Sequence, residues 1–171
     1  GKPRKALLHA PKNGFFYVLD RETGKFIHGT NYSVVNWAKG LDANGRPIEN
    51  PEARYGTTGK PFVQIPGPGG AHDWQPMSYS PRTGLVYIPT SEGAFAYRND
   101  PTEGGTGRSA LGFNTGAGAF SATVAGPGQS NDKLDGFDTA NGHKASFLLA
   151  WDPVAQKAVW KAPDLKTFNG G

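Results

Sequence analysis

Three segments of the sequence share one pattern, in which an apolar run, a polar turn and a second apolar run follow one another. The first segment joins residues 15–19 to residues 26–29. The other two turn at residues 80–84 and at residues 152–157. In the first turn Asp20 can accept backbone hydrogen bonds and a glycine can adopt positive φ, both of which favour a tight reversal. The pattern predicts three antiparallel β-hairpins.

The spacing of these hairpins is that of propeller blades that carry loop insertions, so the predicted fold class is all-β, part of a β-propeller. The third hairpin keeps the pattern Ala150, Asp152, Lys157 and Trp160, in which Asp organises the turn and the indole packs over a neighbouring blade. Composition agrees, because Gly 25 and Pro 14 exclude a helical bundle. Two or three blades cannot close a ring and would leave unpaired edges.

Several functions are poorly supported by the sequence. No basic stripe suggests nucleic acid, and no apolar run approaches the roughly 18 residues that a membrane span needs. The polar stretches at residues 42–60 and 98–144 lack the glycine patterns of nucleotide loops. Asp132, Asp135 and Asp138 lack the spacing of a calcium loop, so a solvated loop is the favoured interpretation. With Cys 0 there is neither a disulfide nor a thiolate metal site.

Two segments stand out as candidate sites, and each has an ordinary alternative. Lys12 precedes a long aromatic strand, near one mouth of a propeller, but it could be a solvated turn lysine. Residues 69–76 place Asp73 and Trp74 after two glycines, which permits close approach to a flat ligand. In the alternative, Trp74 is a core residue and Asp73 caps a turn.

These segments, in order, resemble the pyrroloquinoline-quinone (PQQ)-dependent alcohol dehydrogenases, especially the quinohaemoprotein type. The resemblance runs nearly end to end, and four ordered blocks are far more specific than one motif. The matching blocks are residues 10–21, residues 45–48 with 50–55, residues 72–81 with 83–89, and residues 149–160.

The resemblance implies that residues 1–171 are an interior portion of an eight-bladed propeller whose blades carry tryptophan-docking motifs. We expect about two to three blades, with an inserted Gly-rich loop near residues 98–144. The third hairpin departs from the family motif, because Gln156 stands where the turn glycine is usual. In the first hairpin His28 takes the tryptophan position, which makes that copy a weaker one.

The resemblance also implies the chemistry. In this family PQQ lies in the central channel with a calcium ion, an aspartate base removes the alcohol proton, and hydride passes to the quinone. Lys12 occupies the position of the family lysine that hydrogen-bonds the quinone oxygens, where an ammonium stabilises developing negative charge. Trp74 and Asp73 match a segment that approaches the cofactor, although the family usually has Asn in place of Asp73. That carboxylate could pair with Lys12, stay protonated or weaken the site.

The remaining functional parts are expected outside this segment, and no residue of this chain is expected to be the catalytic base. In the family's order the aspartate, the calcium ligands and an adjacent-cysteine ring come earlier, and a domain with haem c would follow. The resemblance implies an alcohol substrate, a cytochrome c or other electron acceptor, and a periplasmic location. The segment alone is expected to be inactive.

Two alternatives remain open. One is a non-catalytic propeller scaffold for protein partners, against which Lys12 and residues 72–76 argue, because a scaffold has no need of quinone-facing residues. The other is a quinoprotein that acts on sugars or polymeric alcohols with the same fold and cofactor.

Overall fold

The computed structural model describes residues 4–97 and 145–164, and within these ranges the chain is built almost entirely of short strands. One 3₁₀ turn (Pro51–Ala53) and one short helix (α1, Tyr55–Thr58) interrupt them. The strands are β1 (Ala6–His9), β2 (Phe15–Asp20), β3 (Phe26–Asn31), β4 (Ala38–Leu41), β5 (Pro47–Glu49), β6 (Phe62–Gln64), β7 (Ser78–Ser80), β8 (Leu85–Glu92), β9 (Phe95–Tyr97), β10 (Ala145–Asp152) and β11 (Lys157–Asp164). The predicted all-β class is confirmed.

All three predicted hairpins are present, as the antiparallel pairs β2–β3, β7–β8 and β10–β11. In the first turn the Asp20 carboxylate accepts hydrogen bonds from the backbone N–H groups of Glu22 and Thr23, at 3.0 and 2.8 Å. These bonds hold the pKa of Asp20 below its usual value. Gly24 takes φ 72°, as the sequence predicts for this turn.

The third turn has the same geometry without a glycine. Gln156 adopts φ 53°, in the left-handed region that favours glycine, and its side-chain amide donates to the Pro153 carbonyl at 2.7 Å. The Asp152 carboxylate accepts from the backbone of Val154 and Ala155, at 2.9 Å each. The departure from glycine therefore leaves the turn intact and places backbone strain at Gln156.

Two sheets form the core. The first has the order β1-β2-β3 and the second the order β11-β10-β8-β7. Their facing sides alternate buried apolar residues with outward ones, as strands must. The rings of Phe16 and Trp151 meet across the interface, with centroids 5.8 Å apart. The core residues shared by the two sheets are Phe16, Val18, Val86, Ile88, Phe147, Leu149 and Trp151.

Trp160 lies against its own sheet in the described residues, and the packing of its indole over a neighbouring blade stays a prediction. Within the described residues its ring contact is with Tyr87 of its own sheet, at 5.8 Å between centroids, and 42% of the residue is exposed. Ala150 on β10 lies opposite Trp160 on β11 and opposite Tyr87 on β8, and it is fully buried. A methyl group at this position leaves room for the two rings to meet above it, which explains the alanine of the motif.

The polar stretch at residues 42–60 is more regular than the sequence suggests. It includes β5, the 3₁₀ turn and α1, and β4 and β5 pair around a turn in which the Asp42 carboxylate accepts two backbone hydrogen bonds. The Gly-rich stretch at residues 98–144, with Asp132, Asp135 and Asp138, lies outside the described residues. Within residues 4–97 and 145–164 no helix has the length and apolar character to cross a membrane.

Candidate functional site

The connection between β1 and β2 fixes the backbone around Lys12. The Pro11 carbonyl accepts from the hydroxyl of buried Tyr32 at 2.9 Å, and the Lys12 carbonyl accepts from the Ala71 N–H at 3.0 Å. Burial raises the pKa of Tyr32 well above its usual value, so its hydroxyl remains a donor. Lys12 thus projects from a main chain that is anchored on both sides, while 53% of its side chain stays exposed.

The Gly-rich segment packs directly against Lys12. Gly70 has φ 74°, and a Cβ there would lie 2.6 Å from the Lys12 Cγ and 2.8 Å from its Cα. Gly70 thus allows a close approach between this segment and Lys12, and the approach of a flat ligand to these glycines stays a prediction. The carbonyl of Ala71 accepts from the Ser91 N–H at 2.8 Å, which ties the same segment to β8.

Lys12 and Asp73 form an ion pair. The Lys12 ammonium lies 2.9 Å from the Asp73 carboxylate, whose side chain is 39% exposed. Of the three roles open to Asp73 in the sequence, the structure places it in the pair with Lys12. The Asp73 N–H donates to the Gln75 side chain at 3.3 Å, which orients the turn beneath the carboxylate.

Trp74 comes directly after Asp73 in the sequence and lies on the surface, with 65% of the residue exposed. The alternative in which Trp74 is a core residue is therefore wrong. Such exposure is unusual for so large an apolar ring. Trp74 is separate from the residues that line the cavity described next.

An open cavity of about 290 Å³ lies beside Lys12. It is lined by Lys12, Asn13, Trp37, Gln64, Pro66 and Gly67. The Trp37 indole N–H donates to the Asn13 carbonyl at 3.2 Å, and the Gln64 amide donates to the Pro66 carbonyl at 3.1 Å. These wall residues come from segments far apart in the chain, and only Lys12 and Asn13 lie in a stretch that the sequence marks as a candidate site.

The donor set suits an anionic, oxygen-rich ligand. The Lys12 ammonium carries three N–H donors. The ion pair with Asp73 occupies one side of the ammonium, which leaves donors for a molecule in the cavity. The Asn13 side chain is bonded to Tyr17 and to the backbone of Phe15. Of the six residues that line the cavity, Lys12 alone has a charged side chain. Among the described residues no three His, Asp or Glu side chains are grouped to hold a metal ion.

The chain is similar over its whole length to known alcohol dehydrogenases. The chain is 44% identical over its whole length to a quinohaemoprotein alcohol dehydrogenase of Comamonas testosteroni, of which it covers 22%. It is 40% identical to a 1-butanol dehydrogenase (cytochrome c) of Thauera butanivorans, of which it covers 23%. A solved quinohaemoprotein alcohol dehydrogenase of Pseudomonas putida HK5 superimposes with a TM-score of 0.78 at 41% identity, over 24% of its length.

This chain is homologous to one segment of the quinohaemoprotein alcohol dehydrogenases. It spans about a fifth of the length of the relatives that it matches, 22% of the first. No family model matches the sequence. The structural likeness supports the expectation that the two facing sheets are parts of a propeller.

Proposed function

We propose that this chain contributes one wall of the PQQ site in a quinoprotein alcohol dehydrogenase, as a partial propeller domain. The observation that carries the proposal is Lys12, which is anchored by its backbone, held by Asp73 and directed beside an open cavity. The whole-length similarity to quinohaemoprotein alcohol dehydrogenases supports the same conclusion. The enzyme would oxidise alcohols to aldehydes and pass electrons to a cytochrome c, in the periplasm.

The residues of this chain fit PQQ on one side. PQQ carries carboxylates and quinone oxygens, and when bound it supplies the hydride acceptor for alcohol oxidation. Lys12 would donate hydrogen bonds to quinone oxygens and stabilise negative charge on them. Asp73 would orient the ammonium by accepting one of its hydrogens, and Trp74 would offer a flat face at the edge of the site.

Other parts of the proposed site belong to the rest of such an enzyme. The catalytic base, the calcium ligands and any haem c are proposed to lie outside this chain, so the chain alone would not oxidise alcohols. The electron acceptor is proposed to be a cytochrome c, and the name of the Thauera butanivorans relative supports this.

The test uses the full-length protein that carries this chain, prepared without cofactor and then loaded with PQQ and calcium. We expect oxidation of small alcohols with an artificial electron acceptor, and activity reduced about 10- to 100-fold by Lys12→Ala, because a charge-assisted hydrogen bond is lost. Lys12→Arg should retain most of the activity, since guanidinium is also a cationic donor.

Three outcomes would redirect the proposal. Preference for sugars or polymeric alcohols would replace the substrate class and keep the cofactor. Failure of the wild-type protein to bind PQQ would favour a scaffold. Unchanged activity in Lys12→Ala would remove Lys12 from the mechanism.

A further inference from the structure

His72 is a buried histidine at the base of the Lys12–Asp73 pair, with 9% of its surface exposed. Its Nδ1 lies 2.6 Å from the Ala10 carbonyl oxygen, and its Nε2 lies 2.7 Å from the Gln75 carbonyl oxygen. Both partners are main-chain carbonyls, which only accept hydrogen bonds. The two distances are therefore short hydrogen bonds only where both ring nitrogens donate.

A neutral imidazole has one N–H and one lone pair. In either tautomer one nitrogen of His72 would then direct its lone pair at a carbonyl oxygen, at 2.6 or 2.7 Å. Such a contact between two acceptors is unfavourable, because neither atom receives a hydrogen bond from the other. The doubly protonated ring satisfies both carbonyls at once.

The two carbonyls belong to the two segments that make the site. Ala10 lies two residues before Lys12, and Gln75 lies two residues after Asp73. His72 thus joins the base of the lysine segment to the far end of the aspartate turn. The backbone bond between Ala71 and Lys12 closes the same arrangement from the other side.

We infer that His72 is a positioning residue for the Lys12 site, with both ring nitrogens donating so that the Asp73 turn is locked against the Lys12 segment. The inference rests on the proposed function only where it says that the Lys12–Asp73 pair binds PQQ, since the His72 hydrogen bonds do not depend on the cofactor. The charged groups nearest to it along these segments are Lys12 and Asp73, which pair with each other. Other titratable groups of the surrounding elements include His9 on β1, Tyr32 against Pro11, Tyr17 and Asp20 on β2, and Tyr87 and Glu92 on β8.

The first measurement is histidine nitrogen NMR on the full-length protein at neutral pH, with the His72 signals assigned by their loss in His72→Gln. We expect both ring nitrogens to carry hydrogen. A neutral His72 with one bare nitrogen would overturn the inference. This readout needs no cofactor, so it decides the protonation state even if PQQ fails to bind.

The second measurement is PQQ affinity. His72→Gln is expected to weaken binding about tenfold, because the amide cannot bridge both carbonyls with charge. His28→Gln, at an exposed histidine of β3, is the matched control and should leave affinity unchanged.

The same substitution in a Lys12→Ala background separates positioning from general damage. If His72 acts through Lys12, His72→Gln should then change PQQ affinity less than about twofold, since the group it positions is gone. An undiminished tenfold loss in that background would overturn the positioning role. Failure of the wild-type protein to bind PQQ would instead overturn the proposed function.

Discussion

Two exposed lysine–carboxylate pairs of this molecule look alike and differ in what surrounds them. Lys5 lies 2.7 Å from Glu22, with both side chains 64% exposed, and Lys12 lies 2.9 Å from Asp73, with 53% and 39% exposed. Neither separation nor charge distinguishes the two pairs. Pairs of this kind contribute at most about 1 kcal/mol to stability, so the pair alone does not make a site.

The surroundings make the difference. Lys5 and Glu22 join the start of β1 to the first hairpin turn, with one backbone bond nearby from Arg21 to the Lys5 carbonyl. Lys12 instead lies under Gly70, beside a cavity, in a segment that His72 and Tyr32 both anchor. A charged side chain becomes a binding group where the main chain that bears it is fixed and open space lies beside it.

The largest expected effect concerns the packing of Gly70 on Lys12. Gly70→Ala should cost about 3 kcal/mol or more in the free energy of unfolding, because the new methyl group meets Lys12 main-chain and side-chain atoms as well as carrying a positive-φ penalty. Gly24→Ala is the control, since Gly24 has φ 72° and open space around it, and should cost about 1–2 kcal/mol. Denaturant unfolding of the full-length protein measures both, and equal costs would show that the Gly70 contact is not tight.

The next effect concerns the charge of Asp73. Asp73→Asn should tighten PQQ binding about threefold, because the amide oxygen still accepts from Lys12 while a negative charge near an anionic ligand is removed. Asp73→Ala should weaken binding, since it also removes the acceptor that orients Lys12. Equilibrium titration with PQQ checks both, and weaker binding in Asp73→Asn would contradict the role assigned to the carboxylate.

The smallest effect is expected at the comparison pair. Glu22→Gln should change the free energy of unfolding by less than about 1 kcal/mol and leave PQQ affinity unchanged, because both partners are largely exposed to screening solvent. Denaturant unfolding at low and high salt measures the first quantity. A loss well above 1 kcal/mol would show that this pair is also structurally anchored.

The hairpins could be predicted from the sequence because their turns are local. Asp20 and Asp152 each bond the turn that follows them, and Gln156 adopts the glycine conformation under the same restraint. The strands β4, β5, β6 and β9 were missed because they have only three or four residues each, and β6 pairs with β9 across a long stretch of sequence. Pairing of this kind depends on tertiary contacts that local propensity does not encode.

In the candidate site, too, some residues could be predicted from the sequence and others depend on tertiary contacts. Lys12 and Asp73 were identified through residue type and resemblance, and their pairing was one of the alternatives considered. Trp37 and Gln64 were missed as cavity walls, because nothing in their local sequence indicates that the fold brings them beside Lys12. The two carbonyl contacts of His72 could not be predicted, because Ala10 lies far from it in the sequence and the fold brings the two together.

The most direct test compares PQQ dissociation constants of two variants of the full-length protein, Lys12→Ala and Lys5→Ala, under identical salt and pH. Both remove one exposed lysine from one ion pair, so general charge effects are matched. We expect the dissociation constant to be raised about tenfold or more by Lys12→Ala and changed less than about twofold by Lys5→Ala. Equal changes in the two variants would contradict the claim that Lys12 is a built part of the quinone site.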